Sequence, residues 1–370
     1  MPPNTSVSEC FVSTITCTAA RLPQIRLLLS PRMMNNLARL GFAIPAYRRP
    51  ENLDVALQSI VPQAAALDAP IYIADDSCDQ TNVAVVAKWS ERYPRVIHEI
   101  NEKNLGIDRN IDRAIVRCPA DYVHVIGDDD VIFPGFAERV IAVIGAGAPA
   151  HIVCSYLYVY NDYRVISGQA LIPPQKPGLS LRTLLPTYGW ALGFIGSHVF
   201  NRNRFAACDV DGYGTYFHHL VRLIHYVAPD EPLGFVEQPL VGNRADDEFT
   251  ATWSGDRLRV VFGLEQAFEA AMRGTYSEAE VRETVASARR HLGYTEFFRL
   301  LYWAALAERS GEGGQYWNVL AQLVPRSRYR CLRAVPKALH RPLLGLIPVA
   351  RRTKRYVRRL GMRLGSKSNP

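Results

Sequence analysis

Between residues 40 and 145 short apolar runs alternate with amphipathic stretches. Residues 40–44, Leu-Gly-Phe-Ala-Ile, read as a strand closed by Pro45, which cannot donate to a ladder. Pro50-Glu51-Asn52 opens a helix that puts Leu53, Ala56, Leu57 and Ile60 on one face. Residues 71–74 form a second strand, 81–92 a helix and 96–100 a third strand. Ile107, Ile111, Ala114 and Ile115 recur at helical spacing, and 122–126 is a fourth strand, apolar except for His124. Short apolar strands separated by helices of this length predict an α/β fold with a mostly parallel sheet covered on both faces. Ligands of such sheets bind beyond the carboxyl ends of the strands. The polar residues gather there: Tyr47-Arg48-Arg49, Asp75-Asp76, residues 101–104 and Asp128-Asp129-Asp130.

From residue 150 the pattern changes. Residues 152–160 and 191–200 read as strands separated by a Pro- and Gly-rich loop, 213–228 as a helix and 235–241 as a strand. From 257 onward the spacing is almost wholly helical, including 278–309. Residues 1–37 read as a tail, with Met33 or Met34 as an alternative start.

With 48% hydrophobic and 21% charged residues in 370, the composition is that of a globular protein and excludes a disordered or fibrous chain. The seven cysteines are scattered and form no Cys-x-x-Cys pair, which argues against a disulfide framework or zinc site and for a reducing cytosol. No run of eighteen apolar residues predicts a membrane-spanning helix. The net charge of +8 hides an asymmetry: after Glu312 there is no acid and there are fourteen Lys and Arg, leaving −6 for residues 1–312. Within that basic end Leu346, Ala350, Thr353, Val357, Leu360 and Leu364 form one helical stripe, flanked by Arg351, Arg352, Lys354, Arg355, Arg358, Arg359 and Arg363. Such a helix suits an anionic membrane surface, the plainer alternative being a helix packed on its own domain. No interleaved aromatic platform supports nucleic-acid binding.

Gly127-Asp128-Asp129-Asp130 carries the strongest chemistry. Three consecutive carboxylates at a strand end repel one another, and Mg²⁺ or Mn²⁺ relieves that repulsion while bridging phosphate oxygens. A solvated acidic turn before the helix that begins near Pro134 is the plainer reading. Asp75-Asp76-Ser77-Cys78-Asp79 closes the second strand, either as a helix cap or as a carboxylate accepting from a nucleobase or ribose. Asn104-Leu105-Gly106 leads to Arg109 and Asn110; Gly106 allows close backbone approach and Arg109 can reach a phosphate.

In this order the pieces resemble family 2 glycosyltransferases, which have the GT-A fold. The likeness covers about 38–145: Ile44-Pro45-Ala46-Tyr47, Asp75 to Asp79, Asn104 to Asn110, and Gly127 to Asp130 followed by Pro134-Gly135. It implies an inverting transferase that uses a nucleoside-diphosphate sugar and a divalent metal. It places Pro45, Tyr47 and Asp76 around the nucleoside, with Arg48 and Asp75 beside them, and Asp128 to Asp130 at the diphosphate and metal. The family often opens the acidic motif with Asp where this chain has Gly127, so Asp129 becomes the expected metal ligand, assisted by Asp128 or Asp130. Phe194-Ile195-Gly196-Ser197 resembles the segment that lines the acceptor pocket, with Gly196 and Ser197 facing it. The usual Glu-Asp pair is missing, and Gly212 to His219 stands there instead. An inverting transfer needs a general base, which makes His218 or His219 the candidate and Asp211 the carboxylate alternative.

The expected organisation is a GT-A domain over 38–255, divided into a donor-binding half (38–145) and an acceptor half (146–255), then a helical region (256–341) and a basic tail (342–370). Arg244, Asp246, Asp247 and Trp253 form a loop suited to closing over the donor. The second half also resembles abequosyl-type transferases of bacterial surface polysaccharides such as O-antigen. That implies a glycan or lipid-linked glycan acceptor and a cytoplasmic protein held peripherally on the inner face of the cytoplasmic membrane. Competing readings are a metal-dependent nucleotidyltransferase, disfavoured because Pro45-Ala46-Tyr47 holds no glycine, and a non-catalytic, membrane-associated sugar-nucleotide binder. A dinucleotide oxidoreductase is disfavoured because no Gly-x-Gly-x-x-Gly follows the first strand.

Overall fold

A computed structural model describes residues 40–160, 165–170, 178–244, 257–292, 301, 304, 317, 320–321 and 326–335. The chain divides into two compact units, Met1–Gly255 with Gly263–Ser287, and Asp256–Phe262 with Ala288–Pro370. The tail 1–37, the loop residues Asp246, Asp247 and Trp253, and the basic stripe of 342–370 lie outside the described residues.

The first unit is built on strand β1 (Leu40–Ala46), whose apolar residues are buried on both faces. Helix α1 (Pro50–Leu67) follows, with Pro50 in its first turn, and lays Leu53, Ala56, Leu57, Ile60 and Ala64 into the core at the expected spacing. Next come β2 (Ile71–Asp75), α2 (Val83–Arg92), β3 (Val96–Ile100), α3 (Ile107–Arg117) and β4 (Tyr122–Val125). β1 pairs in parallel with β2 and β4, and β2 with β3, so four carboxyl ends open on one edge. Phe42, Ile44, Tyr72 and Tyr122 are fully or almost fully buried between the layers, each contributing about 1.5–3 kcal/mol by leaving water.

Beyond β4 the sheet becomes mixed. Its order is β3-β2-β1-β4, then His198–Asn201, His151–Tyr160, Gly234–Arg244 and Val131–Ile132, with Val165–Ala170 on His151–Tyr160. The remaining elements are β5 (Val131–Ile132), α4 (Phe136–Gly147), β6 (His151–Tyr160), β7 (Val165–Ala170), α5 (Leu181–Tyr188), β8 (His198–Asn201), α6 (Arg202–Ala207), α7 (His218–Tyr226) and β9 (Gly234–Arg244). Two helices follow, α8 (Arg257–Met272) and α9 (Glu278–Leu292), and their stretch from Gly263 to Ser287 completes this unit. In the second unit α10 (Arg326–Ala334) holds Arg333 over the buried ring of Trp317, 5.0 Å from its centroid. Among the described residues no helix is long and apolar enough to cross a membrane.

Three expectations change. The strand expected over 191–200 begins only at His198, because Gly189–Ala191 and Ile195–Ser197 are 3-10 turns. The apolar run there reflects burial of Ala191 and Leu192 rather than strand pairing. The stretch expected to be a loop between β6 and β8 contains β7, antiparallel to β6. The helix expected over 213–228 forms only as α7, since the amides of Gly214 and Tyr216 are bonded to Asp108 instead of to a helical turn.

Candidate active site

Four turns meet at the carboxyl ends of β1 to β4, and side chains bind them together. Asp76, 4% exposed, accepts from the Leu105 amide at 2.7 Å, the Gly106 amide at 3.0 Å and Asn101 Nδ2 at 2.8 Å. Gly106 has φ +78°, a backbone state that costs a side-chain-bearing residue energy, and it turns its amide toward Asp76. Asp75 braces rather than faces outward. Its Oδ1 accepts from the Ser77 amide and Asn82 Nδ2, both at 3.0 Å, and its Oδ2 lies 3.0 Å from His98 Nε2. Burial opposes its charge, but these partners outweigh burial and hold the carboxyl below its ordinary range. Asn110 is likewise internal, donating to the Ala74 carbonyl and accepting from Asn101. Asn104 is exposed and accepts from the Gly106 amide.

The turn after β1 spreads two adjacent arginines. Arg48 has φ +51°, and its guanidinium lies 3.2 Å from the half-buried Asp79, while its amide donates to Ser77 Oγ. Arg49 points the other way. Its Nη2 lies 2.6 Å from Asp128 Oδ1 and its Nη1 2.5 Å from Asp129 Oδ2. Pro45 lies within β1, and Tyr47, 45% exposed, donates its amide to Asp128 Oδ2 at 2.9 Å.

The acidic turn is therefore an internal structure rather than a solvated one. Burial pushes the Asp128 carboxyl up to about 7 against the pull of Arg49, with Asp129 adding to the rise. Burial and then the Asp129 charge raise Asp130 well above the carboxylate range, opposed by the Arg244 amide, which donates to it at 2.9 Å. That amide is delivered by the pairing of β5 with β9, Val131 against Gly242. A Cβ on Gly127 would stand 2.6 Å from Asp130 Oδ2 and 3.0 Å from Asp129 Oδ1. The missing side chain is the cradle into which two hard carboxylate oxygens converge, and that donor set fits Mg²⁺ or Mn²⁺. Among the described residues no group of three or more His, Cys, Asp or Glu is spaced to hold a metal by itself. Two carboxylates completed by phosphate oxygens and water is the usual Mg²⁺ arrangement.

The base candidates lie on a second cluster, organised by α3. Asp108 accepts from the amides of Gly214 at 2.7 Å, Tyr216 at 3.1 Å and His218 at 3.2 Å. Burial raises its pKa in spite of those three donors. Asp112 accepts from Tyr213 Oη at 2.8 Å and lies 3.2 Å from His218 Nε2, without hydrogen-bond alignment. The Tyr213 ring stacks on His218 at 4.0 Å, and Arg109 sits 4.0 Å above Tyr213. His218 is fully buried. His219 is 1% exposed, with its ring 5.7 Å from that of His198, and burial holds its pKa well below 6.5. Asp211 is exposed. Gly196 gives its carbonyl to His124 Nε2 at 3.0 Å, and the buried Ser197 donates its hydroxyl to the Phe194 carbonyl. Ser197 thus closes a turn instead of offering its hydroxyl to an acceptor.

Arg49, Ser77, Asn101, Asp108 and Asp112 are the site residues that sequence reading left unassigned. Asp108 and Asp112 carry a signal of a kind, since two acids stand among the apolar positions of an otherwise amphipathic helix.

Residues 42–206 match the model of glycosyl transferase family 2. The amylovoran biosynthesis glycosyltransferase AmsE of Erwinia amylovora is 27% identical over 181 residues, covering 46% of this chain and 60% of that protein. An uncharacterized glycosyltransferase of Escherichia coli (strain K12), YibD, is 26% identical over 112 residues, 30% of this chain and 32% of that protein. The chain thus spans less than two thirds of either curated relative. The crystal structure of S. aureus TarS 1-349 in complex with UDP-GlcNAc has the same fold, with a TM-score of 0.55 at 14% identity, covering 82% of this chain and 90% of that one.

Proposed function

Since residues 42–206 belong to glycosyl transferase family 2 and have its GT-A fold, we propose that the chain is an inverting transferase moving a sugar from a nucleoside-diphosphate donor to a glycan hydroxyl. The observation that carries this is the knot of turns at the strand ends. Asp76 fixes residues 105–106, Asp128 fixes Tyr47, and all stand where α/β sheets bind ligands. The exposed Tyr47 ring offers a face for the base, and Arg109 offers a cation for phosphate. Asp129 and Asp130 would hold Mg²⁺ or Mn²⁺, which when bound neutralises charge on the departing diphosphate. TarS is described with UDP-GlcNAc, which supports a nucleotide-sugar donor in general without fixing its base.

The base must touch the acceptor hydroxyl. Exposure favours Asp211, whereas His218 reaches an acceptor only after the Tyr213 ring moves aside. The two candidates, a carboxylate and an imidazole, are separated by single substitutions that keep the size of the side chain. D211N should abolish turnover in the first case and H218Q in the second.

The role of AmsE in amylovoran biosynthesis supports a polysaccharide pathway, and the O-antigen product and lipid-linked acceptor are carried by the sequence resemblance alone. The basic stripe of residues 346–364 would then hold the protein at the inner face of the membrane beside that acceptor. Deleting 342–370 should release the protein from anionic liposomes.

The deciding experiment is a thermal-shift panel of UDP-, GDP-, CDP- and dTDP-sugars with and without Mn²⁺. A donor at one hundred times its Kd stabilises the native state by about 2.7 kcal/mol. No shift with any member would sink the donor-site reading, and a full response from D129A would sink the metal assignment.

A further inference from the structure

We infer that Arg49 is an internal counter-cation that occupies the acidic turn before ligand arrives, and that it yields Asp129 to the divalent ion and moves to the donor's diphosphate. The inference rests on the donor-site reading above.

Three consecutive carboxylates crowd at this turn, and Arg49 is a cation in contact with two of them. One guanidinium nitrogen lies 2.6 Å from Asp128 Oδ1 and the other 2.5 Å from Asp129 Oδ2, so one planar fork spans two residues. The aim is built into the backbone. Arg48 at φ +51° sends its own side chain to Asp79, and Pro50 at the start of α1 fixes the chain directly after Arg49. The cradle oxygens are Asp129 Oδ1 and Asp130 Oδ2, and Arg49 holds the other oxygen of the same Asp129 carboxylate, so a divalent ion and the guanidinium compete for one residue as like charges a few ångströms apart. Arg49 also has somewhere to go. Its side chain is 24% exposed, and a guanidinium fork matches a phosphate as well as it matches a carboxylate. Metal and nucleotide therefore bind as one event: the ion frees Arg49, and the diphosphate supplies both the missing metal ligands and a new partner for Arg49. Mn²⁺ alone is held weakly because it binds against the cation already on Asp129.

Mn²⁺ binding to the full chain, followed by the electron paramagnetic resonance signal of the free ion, tests this without turnover. Without nucleotide, R49Q should bind Mn²⁺ about tenfold more tightly than the parent, within the usual range of coupling between sites, and D129N should bind it less tightly. In metal-free buffer R49Q should also melt below the parent, and Mn²⁺ should restore most of the loss. An unchanged or weaker Mn²⁺ Kd in R49Q overturns the inference. Should R49Q fail to fold, R49M is read the same way, since methionine keeps much of the apolar stem and removes the charge. If a nucleotide sugar shifts the parent's melting while R49Q binds Mn²⁺ unchanged, the exchange falls and the donor site stands. If no nucleotide sugar shifts it while R49Q still tightens Mn²⁺, the exchange stands and the donor reading falls.

Discussion

Replacing His124 by glutamine should flatten the acid side of the stability curve. His124 lies in β4, paired with Phe42 of β1 on one side and Val199 of β8 on the other. Its ring centroid is 4.4 Å from that of Phe136 and 6.0 Å from that of Phe42. Burial holds the imidazole down to about 4, against the pull of the Gly196 carbonyl at 3.0 Å. The unfolded chain takes up this proton near 6.5. Between the two values the unfolded state binds more protons than the native one, so stability is present above 6.5 and is lost as pH falls toward 4. The full difference is about 3 kcal/mol, of which about 2 kcal/mol falls between pH 7 and pH 5. Glutamine keeps a donor for the Gly196 carbonyl and does not titrate in this range. Urea unfolding at pH 7 and pH 5 measures both proteins, and the parent should lose about 2 kcal/mol more than H124Q across that interval. His151 and His198, also held neutral by burial, act in both proteins and largely cancel. Equal losses in the two proteins would refute the argument, because they would mean that His124 is either hydrated or already charged in the fold.

Three further outcomes follow from the same geometry. D76A leaves the Leu105 and Gly106 amides and Asn101 Nδ2 without their carboxylate; urea unfolding should show a loss of about 2–4 kcal/mol, together with loss of any nucleotide-sugar thermal shift. G127A sets a Cβ 2.6 Å from Asp130 Oδ2, so the carboxylates must turn away; Mn²⁺ affinity should drop at least about tenfold while the far-ultraviolet circular dichroism stays unchanged. D108A releases the amides of Gly214, Tyr216 and His218; residues 212–217 should become the preferred site of limited proteolysis, with a stability loss of about 2–4 kcal/mol.

Much of the stretch 40–145 was legible in the sequence because β1, β2 and β4 are buried on both faces. An all-apolar run such as 40–44 followed by a helix with one apolar stripe leaves few folds open, and β1 and α1 form where the pattern puts them. Residues 146–244 were less legible. A buried turn and a buried strand are equally apolar, so residues 191–197 read as strand although they form 3-10 turns. The carboxylates were visible as a set but not by role. Asp75 and Asp76 are neighbours of one type, yet His98 and Asn82 claim the first while the 105–106 amides claim the second.

Local sequence therefore determined which residues gather at the strand ends, since hydrophobic period and turn chemistry act over a few residues. Which side chain faces which was decided only in three dimensions. Arg49 meets Asp128 from 79 positions away, and Asp108 holds Tyr216 across 108. Such pairings follow from sheet order, from the one backbone angle at Arg48 and from the pairing of β5 with β9, none of which is written in any short stretch of chain.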